Sequence, residues 1–310
     1  MARADLNVTL VGPAEAATAA LTGLPPALAQ RVTVVPAARH IRMDEEPARA
    51  VRAKRDASIV VAMRLVRDGE ADAVVSAGST GATMASAVVG LGRLPGLSRP
   101  ALAAVLPAPR GPVVLLDVGA NPGASAELLV QFALVGVVYA RARLGLDRPR
   151  VGLLNVGSEP GKGDAVRRAV APRLEQALAG EPADYVGNVE PAAAALGGVV
   201  DVVVTDGFSG NILVKTVEAT IDAVAEVLEP AASGPLRPLR AETQGGAVLL
   251  GVDGVVVIGH GSSGGSAVAA CILSAADAVT GGLLPEVRDA LATVSALTRT
   301  AAGVAASRGH

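Results

Sequence analysis

Aromatic residues are almost absent from this 310-residue chain, which has Phe132, Phe208, Tyr139 and Tyr185 and no Trp. Proteins that hold single strands without sequence preference stack bases on aromatic rings, so that mode is excluded. Cysteine is reduced to Cys271, which rules out an internal disulfide and any cysteine-built zinc or iron–sulfur centre. A reducing, cytoplasmic setting is therefore expected. Neither sign of charge dominates: the formal net charge is −2, too little to hold nucleic acid or an anionic bilayer by a global basic field. No run of about 18 uninterrupted apolar residues occurs, so no spanning helix is expected. The closest stretch, Leu128 to Ala140, contains Gln131 and reads as a core helix. Arg3, Asp5 and Asn7 near the start argue against a secretory leader. Lysine is scarce as well, with 3 Lys among the 27 Lys and Arg together. A composition that replaces Lys by Arg wherever either serves should keep lysine where a compact ammonium matters, and this singles out Lys54, Lys162 and Lys215.

What the chain has in quantity is aliphatic. Hydrophobic residues make up 51%, enough for a large core of Val, Leu, Ala and Ile. Short apolar runs alternate with helix-like segments. The runs at Val8–Val11, Val32–Val35, Ala73–Ser76, Val113–Val118, Val151–Val156, Val200–Thr205 and Val255–Ile258 are apolar at nearly every position. Strands of that kind are covered on both faces, which predicts an α/β fold: a mostly parallel sheet with helices on both sides. The predicted helices are Pro47–Arg67, Ala124–Leu144, Asp164–Ala179, Leu213–Leu228 and Ser266–Val279. Residues 1–310 read as one α/β domain, with two subdomains as the alternative. A Pro-rich excursion occupies 229–244, and a weakly patterned tail begins at about 285.

In parallel sheets ligands bind at the carboxyl ends of the strands, so the loops that follow the strands carry the function. Five have a common character: Ala77–Gly81, Asp117–Asn121, Asn155–Gly163, Thr205–Asn211 and Gly259–Gly265. Each combines Gly with Ser, Thr, Asn or Asp and leads toward a helix. If all five meet at one edge, backbone N–H groups and helix N-termini form a cradle for phosphate or a similar anion. Gly157-Ser158-Glu159-Pro160-Gly161-Lys162-Gly163 approaches a Walker A loop, but it is one residue short between its glycines and has Gly163 where a hydroxyl must hold Mg²⁺. Gly259-His260-Gly261-Ser262-Ser263-Gly264 matches GxGxxG, yet no second strand ending in an acid follows. An NAD-dependent dehydrogenase is thus the alternative of another class. Cys271, in an apolar helix, reads as a buried structural thiol. The charged front of Pro47–Arg67, including Lys54, is either a solvated face or a cationic end directed into a site. No metal and no cofactor is expected.

The motifs in order are MDEEPARAVRAKRDAS (43–58), ADAVVSAGSTGA (71–82), GRLPGLSRPA (92–101), LLDVGAN (115–121), VGLLNVGSEPGKG (151–163), YVGNVE (185–190), DVVVTDGFSGNILVKT (201–216) and GGAVLLGVDGVVVIGHGSS (245–263). This set resembles the phosphate acyltransferases of bacterial phospholipid synthesis, the PlsX family. The resemblance implies a fold like phosphotransacetylases and isocitrate dehydrogenases, usually dimeric. The implied reaction moves a fatty acyl group from acyl carrier protein to inorganic phosphate, and the acyl phosphate feeds phospholipid synthesis. It implies a cytoplasmic protein, peripheral at the inner membrane face. A catalytically weak homologue that binds carrier protein or acyl phosphate is the alternative within the family.

The chain departs from the family pattern in several places. The family's opening strand and Met-Gly-Gly-Asp loop are not found. Ser79 stands where the family has Asn, and Pro191-Ala192-Ala193 stands where it has Gly-Arg-Asp. The excursion is short, with only Leu236 and Leu239 as large apolar residues, so weak membrane contact is expected. Residue type and loop position suggest roles. Ser79, Thr80, Lys162 and Lys215 neutralise phosphate, and Asn121, Asn188 and Asn211 donate hydrogen bonds. Asp206 orients a cation or the thiol. His260 and Ser262 serve the carbonyl or thiol end. Lys54, Gly261 and Ser263 complete the expected binding set.

Overall fold

The structure is a computed structural model that describes residues 3, 5–228, 236, 239, 245–261 and 263–292. Ser262, nearly all of the excursion 229–244 and the tail beyond 292 lie outside the described residues. The chain opens with β1 (Val8–Gly12), α1 (Ala14–Leu21), α2 (Pro26–Ala29) and β2 (Val32–Pro36). β1 and β2 pair in parallel as a separate two-stranded sheet. Next come α3 (Pro47–Ala53), α4 (Ser58–Arg67), β3 (Ala73–Ser76), α5 (Thr80–Gly90), β4 (Ala101–Leu106), β5 (Val113–Leu116) and α6 (Ala126–Leu144). β6 (Arg150–Leu154), α7 (Ala165–Leu178), β7 (Asp184–Val189), α8 (Pro191–Leu196), β8 (Val202–Val204) and α9 (Gly207–Val227) follow. After the excursion come β9 (Ala247–Leu250), β10 (Val255–Ile258), α10 (Gly265–Thr280) and α11 (Leu283–Ala292).

The eight-stranded sheet has the order β3-β10-β9-β4-β5-β8-β6-β7. Five of the eight strand pairings in the two sheets are parallel; the apolar runs predict the strands of four of them, and the fifth adds β7, which lies outside those runs. The rest come from β4 and β9, which insert antiparallel at the centre and which the sequence reading does not identify. Their effect is directional. β3 and β10 run one way, while β5, β8, β6 and β7 run the other. The expectation that five loops share one edge is therefore corrected. The loops after β5, β6 and β8 lie at one edge, and those after β3 and β10 lie at the opposite edge.

The predicted helix Pro47–Arg67 is two helices, because tertiary hydrogen bonds interrupt it. Ser58 N–H donates to the Arg39 carbonyl at 2.9 Å, and Arg39 pairs with Asp56, so the chain at 54–57 turns onto the 39–40 segment. α6 follows its prediction. It is apolar on most sides, capped by Ser125 and closed by Gly145 in the left-handed region, and it buries 12 of its 19 residues. Gly136 lets it lie close on the sheet, since a Cβ there would come within 2.9 Å of Leu116 and Val202 side chains.

The start of the expected tail is helical. Leu283, Val287 and Leu291 recur every four residues and are 4%, 2% and 0% exposed against the main core. Truncating Leu291 to Ala should cost about 2–4 kcal/mol in urea unfolding, and a loss below ~1 kcal/mol would mean that this helix contributes little to the fold. Among the described residues no single helix is long and apolar enough to cross a membrane. α10 and α11 are long and apolar enough only when taken together, but they are bent by 58° and bury Ala267, Cys271, Ala275, Leu283, Val287 and Leu291 in the protein.

Candidate active site

At the first edge Arg167 of α7 joins three loops. Its Nε donates to the Leu154 carbonyl at 2.9 Å, and its Nη1 and Nη2 donate to Asp164 and Asp206, each at 2.7 Å. Asp206 caps α9 by accepting the Ser209 N–H at 2.9 Å, and it also accepts the Ser209 hydroxyl at 3.0 Å. Burial alone would raise the Asp206 carboxyl, but Ser209 and Arg167 together hold it below the ordinary carboxylate value. The expected role for Asp206, orienting a cation or thiol, is thus filled by protein groups: its cation is Arg167, and it positions the start of α9.

Beside it Asp117 is 0% exposed and accepts N–H groups of Leu102, Gly119, Ala120 and Asn121 together with the Asn121 side-chain amide. Burial pushes this carboxyl up, and the donors act against the shift. Asn121 is also buried, and its amide donates to the Pro100 carbonyl and to Asp117, both at 2.8 Å. It shapes the loop rather than offering a free donor, which corrects the expectation. Asn188 donates to the Glu159 carbonyl at 3.0 Å and so ties β7 to the 155–163 loop, while its buried Oδ1 has no partner. Asn155, which the sequence reading missed, donates to the Lys162 carbonyl at 3.0 Å and fixes the lysine's backbone.

At the second edge Ser79 caps α5, accepting the Ala82 N–H at 3.3 Å, with Thr80 exposed on the first turn. The Gly259 N–H donates to the Ser76 carbonyl at 2.9 Å, and the Ser263 N–H to the His260 carbonyl at 2.9 Å, so the loops after β3 and β10 lie side by side. Gly261 faces Met43, with a Cβ position 3.1 Å from Cε. The helix N-termini here, α5 and α10, have uncharged caps, Ser79 and Gly264. At the first edge α7 and α9 are capped by carboxylates, Asp164 and Asp206, which occupy the place an anion would take.

α9 connects the two edges. It begins against Asp117 and Asn121, carries Asn211 and Lys215 on its first turns, and brings Glu218 within electrostatic reach of His260. Burial raises the Glu218 carboxyl, His260 and Lys215 act to lower it, and Asp222 raises it further. The sequence reading did not name Glu218 or Arg167. The three lysines differ. Lys54 is bound to Glu45 at 2.7 Å and reaches the His40 carbonyl at 3.3 Å, so its ammonium is engaged within its own segment. Among the described residues neither Lys162 nor Lys215 forms a salt bridge, and both are exposed. Cys271 is buried, and burial pushes its thiol up, as expected of a structural cysteine.

The fold is that of phosphotransacetylases. It matches the EutD phosphotransacetylase of Staphylococcus aureus with a TM-score of 0.56 at 18% identity, over 88% of this chain and 94% of that one. A branched-chain phosphotransacylase of Enterococcus faecalis gives 0.57 at 15% identity, over 88% and 99%. Sequence then defines the group more narrowly: residues 1–284 match the model of the fatty acid synthesis protein family, and the chain belongs to that family. A phosphate acyltransferase of Desulfitobacterium hafniense is 45% identical over 305 residues, 93% of this chain and 89% of the relative. One from Thermobifida fusca is 44% identical over 284 residues, 86% and 78%.

Proposed function

We propose that this protein is an acyl carrier protein-dependent phosphate acyltransferase. A phosphate oxygen attacks the thioester carbonyl, the C–S bond breaks, the acyl phosphate forms, and the carrier's thiolate leaves and takes up a proton. The observation that carries this reading is 45% identity with a phosphate acyltransferase across 93% of the chain, a span that contains every loop described above. Phosphate is already anionic at neutral pH, so the site needs positioning and charge stabilisation more than a strong base. In this reading the uncharged N-termini of α5 and α10, with Ser79, Thr80, Gly261 and Ser263, receive phosphate. Lys215 approaches from α9, which runs from the first edge, where the Lys162 loop lies, to the second. Asn211 and Asn188 orient the acyl group, and His260 serves the carbonyl or the leaving thiol. Ser262 belongs to the same loop. The acyl phosphate feeds phospholipid synthesis. A homodimer in the cytoplasm, with weak contact at the inner membrane face, belongs to the same reading and rests on the family resemblance.

The test is release of free carrier thiol from acyl-acyl carrier protein as phosphate is titrated. Saturable, phosphate-dependent release is expected. Binding of the carrier without turnover would favour a non-catalytic homologue. The dehydrogenase alternative is not favoured by the relatives. A second experiment concerns the lysines. Lys162→Arg and Lys215→Arg keep the charge but replace a compact ammonium by a broad planar fork, and each is expected to lower kcat/KM about tenfold or more. Near-wild-type kinetics in both would remove the lysines from the site.

A further inference from the structure

Of the three lysines that the composition singles out, Lys54 has no part in the reading above. Its surroundings give it a different one. The residues before α3 form a short pinned segment: Glu45 accepts the Arg42 N–H at 2.7 Å, and Glu46 caps α3 by accepting the N–H groups of Ala48 and Arg49. Lys54, at the other end of α3, reaches back to this segment. Its Nζ lies 2.7 Å from one Glu45 oxygen, 2.8 Å from the other and 3.3 Å from the His40 carbonyl. Both side chains are only 26% exposed, so water screens the pair less than it would a fully exposed one. The same unit walls the second edge. α3 packs on α5, where Ile41, Ala50, Val51 and Ala57 share a small core with Ala82. A Cβ on Gly81, in the first turn of α5, would stand 2.7 Å from Pro47 Cγ. One on Gly261 would stand 3.1 Å from Met43 Cε and 4.0 Å from the Ala77 carbonyl oxygen. Residues 43–47 thus touch both of the loops that the acyltransferase reading assigns to phosphate.

From this geometry we infer that Lys54 is a positioning residue: with Glu45 it latches residues 42–47 against Gly81 and Gly261, and so sets the α5 N-terminus and the loop after β10 at the spacing that phosphate needs, without touching the substrate. The inference rests on the acyltransferase reading for the identity of the anion and adds to it the device that holds the cradle together. The cradle needs such a device because its donors come from two separate elements, and donors stabilise an anion well only when they are fixed in place beforehand. Pro47 seats the first turn of α5, and Met43 bounds Gly261 on the side away from Ala77. The latch also accounts for a lysine in an arginine-rich chain. A compact ammonium with three rotatable donors fits among two carboxylate oxygens and a carbonyl, whereas a guanidinium directs its donors in a fixed plane.

Lys54→Met and Glu45→Ala separate a latch from a direct contact, because the two accounts predict opposite signs for the second variant. A latch fails when either partner is removed. Each variant should therefore raise KM for phosphate about fivefold with kcat within about twofold, and the double variant should stay within about twofold of the worse single. If Lys54 met phosphate itself, Glu45→Ala would release its charge and lower that KM. A lowered or unchanged KM in Glu45→Ala, or single effects that multiply in the double variant, overturns the inference. Where no turnover is found, calorimetry with inorganic phosphate takes the place of KM, with the same expected change and the same overturning results. A further measurement needs neither turnover nor ligand. Hydrogen exchange on the full chain should be about tenfold faster in both variants in peptides covering 42–51 and 79–86, and unchanged in peptides covering α7. Wild-type exchange in the first two peptides overturns the latch even if the enzyme is active. Faster exchange there upholds the latch even if acyl transfer is not found, so that only the reading of the reaction fails.

Discussion

Gly210→Ala is expected to destabilise the protein by about 3 kcal/mol and to remove most turnover. A Cβ at Gly210 would lie 2.0 Å from the Asp117 carbonyl oxygen and 3.0 Å from Thr205 Cγ2. Both neighbours are fixed: Asp117 N–H donates to the Thr205 carbonyl at 3.0 Å, and Thr205 N–H to the Leu116 carbonyl at 2.8 Å. The clash is with backbone and cannot be relieved by a side-chain rotation, so α9 itself must shift. Asn211 and Lys215 shift with it, and so does Glu218 on the side toward His260. Stability and activity should therefore fall together, in urea unfolding and in thiol release. Gly12→Ala is the control. Its Cβ would meet nothing within 4 Å, and a change beyond about 0.5 kcal/mol there is not expected. A Gly210→Ala protein with wild-type stability and turnover would mean that α9 is not seated as described.

Arg167→Met should have an effect of similar size by a different route. The guanidinium holds two carboxylates and a backbone carbonyl at once, and both its side chain and that of Asp206 are only 15% exposed. Methionine fills part of the volume but leaves Asp206 without its cation and the Leu154 carbonyl without its donor. A stability loss of about 2–3 kcal/mol at neutral pH follows from losing hydrogen bonds to charged groups. Turnover should drop about a hundredfold, because the α9 cap and the 155–163 loop lose their common anchor. The pH dependence identifies the cause. Asp206 has a depressed value in the folded protein, so the stability from its pairing is complete above the ordinary aspartate value of about 3.9 and is lost as pH falls through the folded value. The gap between wild type and Arg167→Met should therefore shrink in acid. A gap independent of pH would assign the effect to packing alone.

The strands that were legible in the sequence are the β-branched runs, such as Val255–Ile258 and Val113–Leu116, because burial on both faces leaves no polar position to confuse the pattern. β4 and β9 escaped for a physical reason. Ala101–Leu106 is half alanine, and Ala247–Leu250, set between glycines, has Val248 as its one β-branched residue. Those two strands decide the direction of the rest, so the loops could be recognised from sequence while their distribution over two edges could not. The start of α9 was placed six residues late because its first turn, Gly-Phe-Ser-Gly-Asn, looks like a turn until Asp206 is seen to cap it. Asp206, Asn121 and Lys54 were selected by residue type, but each is engaged by a neighbour that a linear motif does not reveal. Arg167 gave no signal in an arginine-rich chain. Its spacing of three from Asp164 was the available hint, since that is how a cap meets its third residue. Glu218 sits in a helix that reads as merely amphipathic, and only the fold brings His260 near it.

The central claim is that phosphate is the nucleophile, and isotope labelling of phosphate tests it most directly. Purified protein, hexadecanoyl-acyl carrier protein and phosphate labelled with ¹⁸O at every oxygen would be incubated and the products weighed by mass spectrometry. Attack by a phosphate oxygen predicts acyl phosphate that keeps the full label, formed in step with free carrier thiol and only when phosphate is present. Free fatty acid carrying solvent oxygen, released at a rate independent of phosphate, would contradict the account and make the protein a thioesterase on this fold.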